Sequence, residues 1–526
     1  MVVPDYNLLT PDVVENLLEV PMEKALGQKE IDRINKIQAN YDYYHGKQYY
    51  DKATDSYMYA TDVDDWDGKD YEPTRFWTNY FKAFIKRKSR WQMAGNHGIN
   101  IRPKSDDQSD IDYAKDGEKL LYELWEDNEM DSMKMQLARD RLIAGSVAAK
   151  IVYNDRTGKL HWIWHKATEV FPIYSKDGFN DLIGCDIIIV QEDDDDPDKV
   201  QYMVQRFRME EEDGQCYFSE RLYDQELEVK RTIREYASLG FDFVPIVLFD
   251  VNTLVTESAH LKDSEDMKAI TRIINNMMED ASDSLKFEMF AMTVIKNADM
   301  NEDTDIQIAP GAVLKVNAGN TSHPADVETV ETTFQWNETF RAQFNRLKSV
   351  MHEIEGIPQI TPSELNFGGM NDRALQVLYQ EIIQETQEHW LAWDRDFREL
   401  FNKSVQYLKT RTSRPKFKYD KTIVNKIEGE LKTEMNFVLP LPDDRVDQVS
   451  LITQEIEAGL ESRKHGMQRL GVKAPEDKLE EIYAELKRDI QERDPYGESN
   501  SFGTDTEVFR PIEDEVGAPE TPFDEE

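Results

Sequence analysis

The sequence predicts an α+β fold in which a largely antiparallel β region precedes several long helices. Residues 146–250 alternate apolar and polar side chains between turn residues, which is the two-residue period of half-buried strands. No glycine or proline then occurs between Pro245 and Pro310, and from Thr256 onward the apolar side chains recur at helical spacing. This change of period marks the boundary between the β region and the helices.

The size and charge of the chain restrict its possible functions. Its 526 residues correspond to roughly three or four domain-sized units, and 39% of them are hydrophobic, which is enough to build cores. With 63 basic and 104 acidic residues, the formal charge is −41. Such a surface disfavours gripping nucleic acid by its phosphates or binding an anionic membrane, because both require clustered Lys and Arg.

The cysteines and the apolar runs bear on the compartment. Cys185 and Cys216 are too few for a disulfide framework and fit a reducing environment, and we expect each to be buried in a strand. No apolar run approaches the ~18 residues of a membrane helix, and the N-terminal stretch lacks the pattern of a signal peptide. We therefore expect no membrane partner.

In chain order, the first third mixes helices with one short extended piece, "INIRPK". We predict a short helix around 13–26, a helix from Glu30 closed near Gly46, a helix over 78–94 ended by Gly95, and a single helix over 118–144 ended by Gly145. Residues 146–174 then predict a hairpin around the turn at 155–158. Further strands are predicted at "CDIIIVQE", "VQYMVQRFRM", "CYFSERLYD", "LEVKRTIREY" and "FVPIVLFDVN".

The next part predicts two long helices around a small insert. The first starts at Thr256 and extends for about 35 residues, or roughly 50 Å. A β-like insert around Pro310 follows, and a second helix begins near Glu331 and stops at Gly356. The apolar stripe of the second helix comprises Trp336, Phe340, Phe344, Leu347, Met351 and Ile354.

A third long helix, capped near Asn371 or Asp372, is predicted to run to about Thr410. Its expected buried stripe comprises Leu375, Leu378, Ile382, Trp393, Phe397, Leu400 and Leu408. A return strand ("EMNFVLPLP") and two shorter helices, 444–460 and 476–490, complete the pattern. The acidic stretch after 490 is rich in Pro, Gly and Ser, and we expect it to be disordered.

The connection between the second and third helices is long. It runs from Gly356 to about Asn371, whereas a plain helix–helix connection takes about 2–8 residues. A loop of that length without its own periodicity is usually functional or disordered.

Motifs for chemistry are mostly absent from the sequence. It contains no phosphate-binding loop, no G-x-S-x-G, no H-E-x-x-H and no C-x-x-C, so we expect no enzyme, catalytic residue, cofactor or bound metal. "HWIWH" places His161 and His165 on one strand face with Glu169 nearby, but two exposed histidines opposite buried Trp162 and Trp164 is the preferred interpretation.

Two charge runs also have a plain interpretation and a functional one. The acidic run at 192–198 could attract Ca²⁺, but it lacks the order of a calcium loop and reads better as a solvated turn. The basic run at 82–90 could contact nucleic acid, but the polar face of an amphipathic helix fits so acidic a chain better.

Several soft motifs together resemble one family. They are "YYHGKQYY" at 43–50, "TNYFKAFIKRKSRWQMAG", "DRLIAGSVAAKIVYNDRTG" with "ATEVFPIY", "FVPIVLFDVN", "GIPQITPSELNFGGMNDRALQVL" and "GLESRKHGMQRLGVKAPEDKLEEI". Over about 35–490 the chain resembles the portal proteins, or head-to-tail connectors, of long-tailed bacteriophages. It departs from that pattern at Asn371-Asp372, where Ser-Gly is common, so we expect a different cap on the third helix.

The resemblance implies a portal-type fold, with an α/β wing, long stem helices, a small β-containing clip, a tunnel loop and a helical crown. Its segments would be a wing at 1–255, a first stem helix at 256–295, a clip at 296–332, a second stem helix at 333–355, a tunnel loop at 356–371, a long wing helix and return strand at 372–440, a crown at 441–490 and a disordered acidic tail at 491–526.

The resemblance also implies a function. Twelve copies would form a homododecameric ring at the capsid vertex of the virion, after assembly in the host cytoplasm, around a channel for packaging and ejecting double-stranded DNA. The implied partners are the terminase large subunit, a head-completion or tail adaptor protein, and the major capsid and scaffolding proteins.

The same resemblance implies two groups of site residues. The tunnel loop would present Pro358, Gln359, Thr361, Ser363, Asn366, Phe367, Gly368 and Gly369 to the DNA. The stem would assemble with its neighbours through Trp336, Phe340, Phe344 and Leu347. A helical scaffold or adaptor protein without a channel, and a metal-dependent nucleic-acid enzyme, remain the alternatives.

Overall fold

A computed structural model of the chain describes residues 28–51, 56–59, 73–95, 97–105, 107–175, 177, 179, 181–193, 199–251, 260–289, 292–296, 298–299, 317–318, 326–330, 336–359, 377–440, 445–472 and 475–493. The chain divides into two compact units, Met1–Ala474 and Pro475–Glu526. The helix predicted around 13–26, most of the β-like insert around Pro310 and the acidic stretch after Arg493 lie outside the described residues.

The helices of the first unit are α1 (Gln28–His45), α2 (Tyr80–Met93), α3 (Gln108–Asp127), α4 (Met130–Ala144), α5 (His260–Met289), α6 (Trp336–Ile354), α7 (Gln380–Arg411), α8 (Lys421–Lys426), α9 (Arg445–Glu457) and α10 (Arg463–Arg469). In the second unit the described residues form α11 (Pro475–Arg493). Within the described part of the chain, no helix is both long enough and apolar enough to cross a bilayer.

The strands, all paired antiparallel where described, are β1 (Tyr49–Asp51), β2 (Ser56–Met58), β3 (Gly98–Ile101), β4 (Ser146–Asn154), β5 (Lys159–Lys166), β6 (Val170–Tyr174), β7 (Leu182–Glu192), β8 (Val200–Met209), β9 (Cys216–Tyr223), β10 (Val229–Ser238), β11 (Ile246–Asp250), β12 (Met292–Lys296), β13 (Ala298–Asp299), β14 (Asn317–Ala318), β15 (Asp326–Val330) and β16 (Thr433–Asn436).

Two sheets form the β region. One has five strands in the order β10-β9-β8-β7-β6, and the other has three in the order β11-β4-β5. The predicted hairpin at 146–174 is present, with Asn154 opposite Lys159 across the turn. Cys185 in β7 and Cys216 in β9 are buried, as expected. Strand alternation therefore located this region correctly.

The largest core lies under α7. Its side chains Trp393, Phe397, Leu400 and Leu408 are fully buried among residues of α3, α4 and both sheets. Two side chains of α7 also bond to the three-stranded sheet: Ser404 Oγ accepts from Trp162 Nε1 at 2.9 Å, and Lys403 Nζ donates to the Ile246 carbonyl at 2.9 Å. The long helix is thus the part of the body on which the sheets pack.

A second core joins α5 and α6 to the body. Met267 and Ile274 of α5 and Met351 of α6 are buried with residues of α1, α2 and α4. The first half of α5 therefore packs near the second half of α6, and beyond these helices β12 pairs antiparallel with β15, Met292 opposite Val330. α5 and α6 therefore form a helical hairpin, and the paired strands β12 and β15 belong to the connection between the two helices.

Three sequence predictions about elements were wrong. The helix predicted over 118–144 is two helices, because Glu129 adopts a left-handed conformation with φ of 49° between α3 and α4. The short helix α10 was not predicted. Leu378, expected in the buried stripe of the third long helix, is 36% exposed and lies before α7, which begins at Gln380 with Tyr379 as its N-cap.

Candidate functional site

The elements on both sides of the predicted loop meet at one place, which we call the loop junction: α2, residues 351–359 and residues 379–389. Met351 and Ile357 from the end of α6 and Ile382 from the start of α7 are buried in one cluster with Phe84 and Ile85 of α2. The residues that precede the loop and those that follow it therefore pack against the same helix.

The end of α6 is a Schellman motif built on Gly356. Gly356 has φ of 60°, its N–H donates to the Glu353 carbonyl at 3.2 Å, and the Ile357 N–H donates to the His352 carbonyl at 3.0 Å. Burial of Ile357 supplies the apolar contact that usually accompanies this motif. The chain therefore leaves α6 in a fixed direction.

His352 reinforces that turn. Its Nδ1 lies 2.9 Å from the Ile357 carbonyl oxygen, and its ring meets the edge of Phe84 at a centroid distance of 5.0 Å. Burial lowers the pKa of His352, against the opposing effect of the bond to Ile357. A neutral ring that donates from Nδ1 fits this arrangement.

Lys88 of α2 joins the two sides of the loop. Its Nζ lies 2.7 Å from Glu355 Oε2, at the end of α6, and 2.7 Å from Glu385 Oε1, in the first turns of α7. The side chains of Lys88 and Glu355 are only 13% and 10% exposed. His389 Nε2 lies 3.7 Å from the same oxygen, Glu385 Oε1. One ammonium group thus holds two carboxylates from different helices.

The pKa values agree with charged partners. Burial would lower the pKa of Lys88, but the charges of Glu355 and Glu385 outweigh burial and raise it. Burial would likewise raise the pKa of Glu385, but its hydrogen bond with His389 and the charge of Lys88 lower it to about 2. Both partners are therefore ionised at neutral pH.

A second polar contact attaches α5 to the body through the 73–79 segment, which leads into α2. The N–H groups of Thr74, Phe76 and Thr78 donate to Asp283 Oδ1, Glu279 Oε1 and Asn275 Oδ1 at 2.8, 2.9 and 2.9 Å. Alternate residues of the segment thus meet every fourth residue of the helix. The spacings match, since two extended residues span about 6.6 Å and four helical residues about 6.0 Å.

The four residues predicted for stem assembly lie along one row of α6. Trp336 and Phe340 meet edge-on at 5.8 Å, and Phe340 stacks on Phe344 at 6.2 Å. Phe344 and Leu347 pack against the core that α6 shares with α5 and α2. Half of the predicted assembly row therefore also contributes to packing within the chain.

The predicted loop residues are described only in part. Pro358 is partly buried, and Gln359 is exposed and accepts a hydrogen bond from Ser349 Oγ at 3.0 Å. Thr361, Ser363, Asn366, Phe367, Gly368 and Gly369 lie outside the described residues.

Comparison with known proteins bears on this architecture. A family model described as phage portal protein, SPP1 Gp6-like, matches residues 24–492. The chain belongs to this portal family. No curated protein matches it. A solved structure titled "Neck of empty GTA particle computed with C6 symmetry" aligns at 12% identity over 74% of this chain and 89% of that chain, with a TM-score of 0.35.

The histidine pair of the portal chain does not form a metal site. His161 is partly exposed, but His165, expected to be exposed, is 5% exposed and lies 3.2 Å from Glu169 Oε2. That prediction was wrong because the turn at Ala167–Glu169 follows the strand directly and brings Glu169 to the histidine. The described residues contain no cluster of metal-binding side chains, and 194–198 of the acidic run lie outside them.

Sequence reasoning also missed the residues that organise the junction of this portal chain. Lys88 belongs to the basic run interpreted as a polar helix face, and Arg87 and Arg90 in that run are indeed exposed. The partners of Lys88 lie far along the chain, Glu385 by 297 residues. The three acceptors on α5, Asn275, Glu279 and Asp283, could have been found from the sequence. Three polar residues at four-residue spacing lie along one line of a helix and indicate a polar contact there.

Proposed function

We propose that twelve copies of this chain form a ring at the capsid vertex, around a channel through which double-stranded DNA is packaged and ejected. The family match over residues 24–492 carries the proposal, because it spans both the body and the α5–α6 hairpin. The family is a structural one of the phage head–tail connector, so the proposed role is that of a channel and not of an enzyme.

In this proposal the segments take the roles that the resemblance implies. The body over 1–255 is the wing, α5 and α6 are the stem, and β13 to β15 lie in the clip at 296–332. β12 lies mostly in the segment predicted as the first stem helix, 256–295, but it is a strand paired with β15, so the proposed clip is extended to begin at Met292. The 356–371 loop narrows the channel, and 441–490 form the crown. The loop junction supports this assignment, because a loop that contacts moving DNA needs firmly held ends.

The charge of the chain fits a channel that does not hold its DNA. Twelve copies would multiply the formal charge of −41 twelvefold. Repulsion between an acidic wall and a polyanion keeps a duplex centred and free to slide, because there are few phosphate clamps. The proposed contact with DNA is therefore independent of its sequence.

The remaining partners follow from the proposed position. The clip would dock the terminase large subunit during packaging and a head-completion or tail adaptor afterwards, and the wing would contact major capsid and scaffolding proteins. The protein would assemble in the host cytoplasm and remain in the virion at the portal vertex.

Electron microscopy of the purified chain tests the ring. Rings with a central hole are the expected result, and a monodisperse monomer would favour the helical scaffold or adaptor alternative. A metal-dependent nuclease assay on the same sample addresses the enzyme alternative, for which we expect no cleavage.

Replacement of the loop tests the channel role. Changing Asn366, Phe367, Gly368 and Gly369 to a short Gly-Ser linker should leave rings and their melting temperature unchanged, because small and polar residues contribute little to a core. Heads should then fill poorly or leak packaged DNA. Normal filling and retention would contradict the channel role of the loop, as would a map in which it points away from the axis.

A further inference from the structure

We propose that Lys88 is a positioning residue that fixes the spacing between the two ends of the loop by binding Glu355 and Glu385 at the same time. The contacts of Lys88 do not depend on whether DNA passes the loop. The biological role of the fixed spacing does rest on the proposed channel function.

The distances limit how far the two carboxylates can separate. Each lies 2.7 Å from the same nitrogen, so the two oxygens are no farther apart than twice that distance. A Lys ammonium has three donors, so Lys88 can bind both carboxylates, and at Glu385 Oε1 it is closer, at 2.7 Å, than His389 Nε2, at 3.7 Å. The end of α6 and the start of α7 therefore share one cation.

The surroundings of this cation make it hard to replace by water. Glu355 is 8% exposed, and the apolar cluster of Phe84, Ile357 and Ile382 covers the same junction. Without the ammonium, two partly buried carboxylates of like charge would face each other, which is unfavourable. Separation of the two ends, or uptake of a proton, would relieve that repulsion.

A further contact shows that the two ends lie close together. A Cβ placed on Gly356 would be 3.5 Å from the Cβ of Glu381, so the turn after α6 touches the first turn of α7. Apolar packing brings the helices together, but it fixes their spacing less sharply than two charged hydrogen bonds do. We therefore assign the spacing to Lys88 and the proximity to the apolar cluster.

Spin labels on the full chain test this assignment. Glu353→Cys and Gln384→Cys place labels at exposed positions on either side of the junction, and the native Cys185 and Cys216 are buried, with thiol pKa values raised by burial. Assembly with an excess of unlabelled chain restricts the measured distance to one subunit. The parent should give a single narrow distance distribution.

Three variants separate positioning from general stability. Lys88→Met should lose the narrow distribution, Lys88→Arg should keep it because it retains a donor to both carboxylates, and Lys86→Met, on the same helix, should match the parent. If Lys88→Met fails to fold, Glu385→Gln is the substitute, since it removes the charge that Lys88 binds on α7, leaves the pair of Lys88 with Glu355 in place, and should broaden the distribution.

An unchanged narrow distance in Lys88→Met, or in Glu385→Gln where Lys88→Met does not fold, would overturn the inference. Failure of this inference can be distinguished from failure of the channel proposal, because different measurements test the two. A broadened distance together with normal packaging by the loop-replacement variant would support the positioning role and contradict the channel role of the loop.

Discussion

Glu385 remains ionised beside Lys88 and His389. Its ionisation therefore makes a contribution to the stability of the fold that depends on pH. Its folded-state pKa of about 2 lies below the ordinary value of 4.5. A carboxylate with a depressed pKa stabilises the fold fully above its unfolded pKa, and the contribution is lost as the pH falls from about 4.5 toward 2.

We therefore expect Glu385→Gln to cost about 1 kcal/mol at pH 7, a modest value because the side chain is one-third exposed. The difference from the parent should shrink as the pH falls below about 4.5. Urea unfolding at a series of pH values measures it, with Glu388→Gln, exposed on the same helix, as the control. A difference that stays constant down to pH 3 would show that the charge of Glu385 is not responsible.

Two neighbouring aromatic residues on α6 should respond differently to the same change. Both side chains are partly buried, but Phe344 packs against the chain's own core, and Phe340 lies one turn farther from it. Phe344→Asp should destabilise the subunit by about 1–3 kcal/mol, because it places a charge against the apolar core that Phe344 contacts. Phe340→Asp should leave the subunit folded but hinder ring formation.

Native mass spectrometry and thermal melting of both variants distinguish the two effects. Intact rings of Phe340→Asp would show that this part of the row does not lie between subunits. A Phe344→Asp chain with parental melting would mean that the packing of Phe344 within the chain contributes little.

At the scale of elements, the 73–79 segment should be held by its polar row on α5. Glu279→Ala removes the acceptor of the Phe76 N–H and should cost about 1 kcal/mol. Hydrogen exchange in a peptide that covers 73–79 should accelerate, while Asp280→Ala, exposed on the next position, should not change it. Equal protection in both variants would show that the row does not hold the segment.

The sequence predicted these elements unevenly, for physical reasons. The long helices and the strands were found because burial on one face leaves a clear period. The break at Glu129 was missed because it uses neither glycine nor proline. At this break the Asn128 side chain donates from Nδ2 to the Leu124 carbonyl at 2.8 Å. The helix α10 was missed because Gly466 lies inside it, where a Cβ would come within 2.7 Å of Ile452 Cγ2.

The candidate site was less predictable than the fold. Gly356 was recognised as the end of a helix, because its residue type carries the local conformation. The Lys88 contacts depend on three elements that are distant in sequence and meet only after the cores have formed. No local sequence pattern indicates contacts between such distant elements. From the sequence alone, Lys88 is therefore equally well explained as an exposed surface residue.

At the scale of the molecule, the acidic C-terminal stretch should be dispensable for assembly. The sequence places the start of this stretch after 490, but α11 continues to Arg493, so the chain is best cut after Arg493. Deletion of residues after Arg493 should leave ring formation and melting unchanged, because the removed stretch is acidic and poor in core residues. Electron microscopy and melting of the shortened chain check this, beside a chain cut after Ala474; loss of rings in the first would show that the stretch is structural.

The contact between the 73–79 segment and α5 has a consequence for changes in chain length. Because only alternate N–H groups of the segment face the helix, removal of one residue turns the following donors away from their acceptors. Removal of two residues again directs the N–H groups toward α5. Each donor then meets the next acceptor along the helix, about one turn away. Related chains can therefore shorten or lengthen this segment in steps of two residues and keep the attachment, whereas a change by one residue must be absorbed elsewhere.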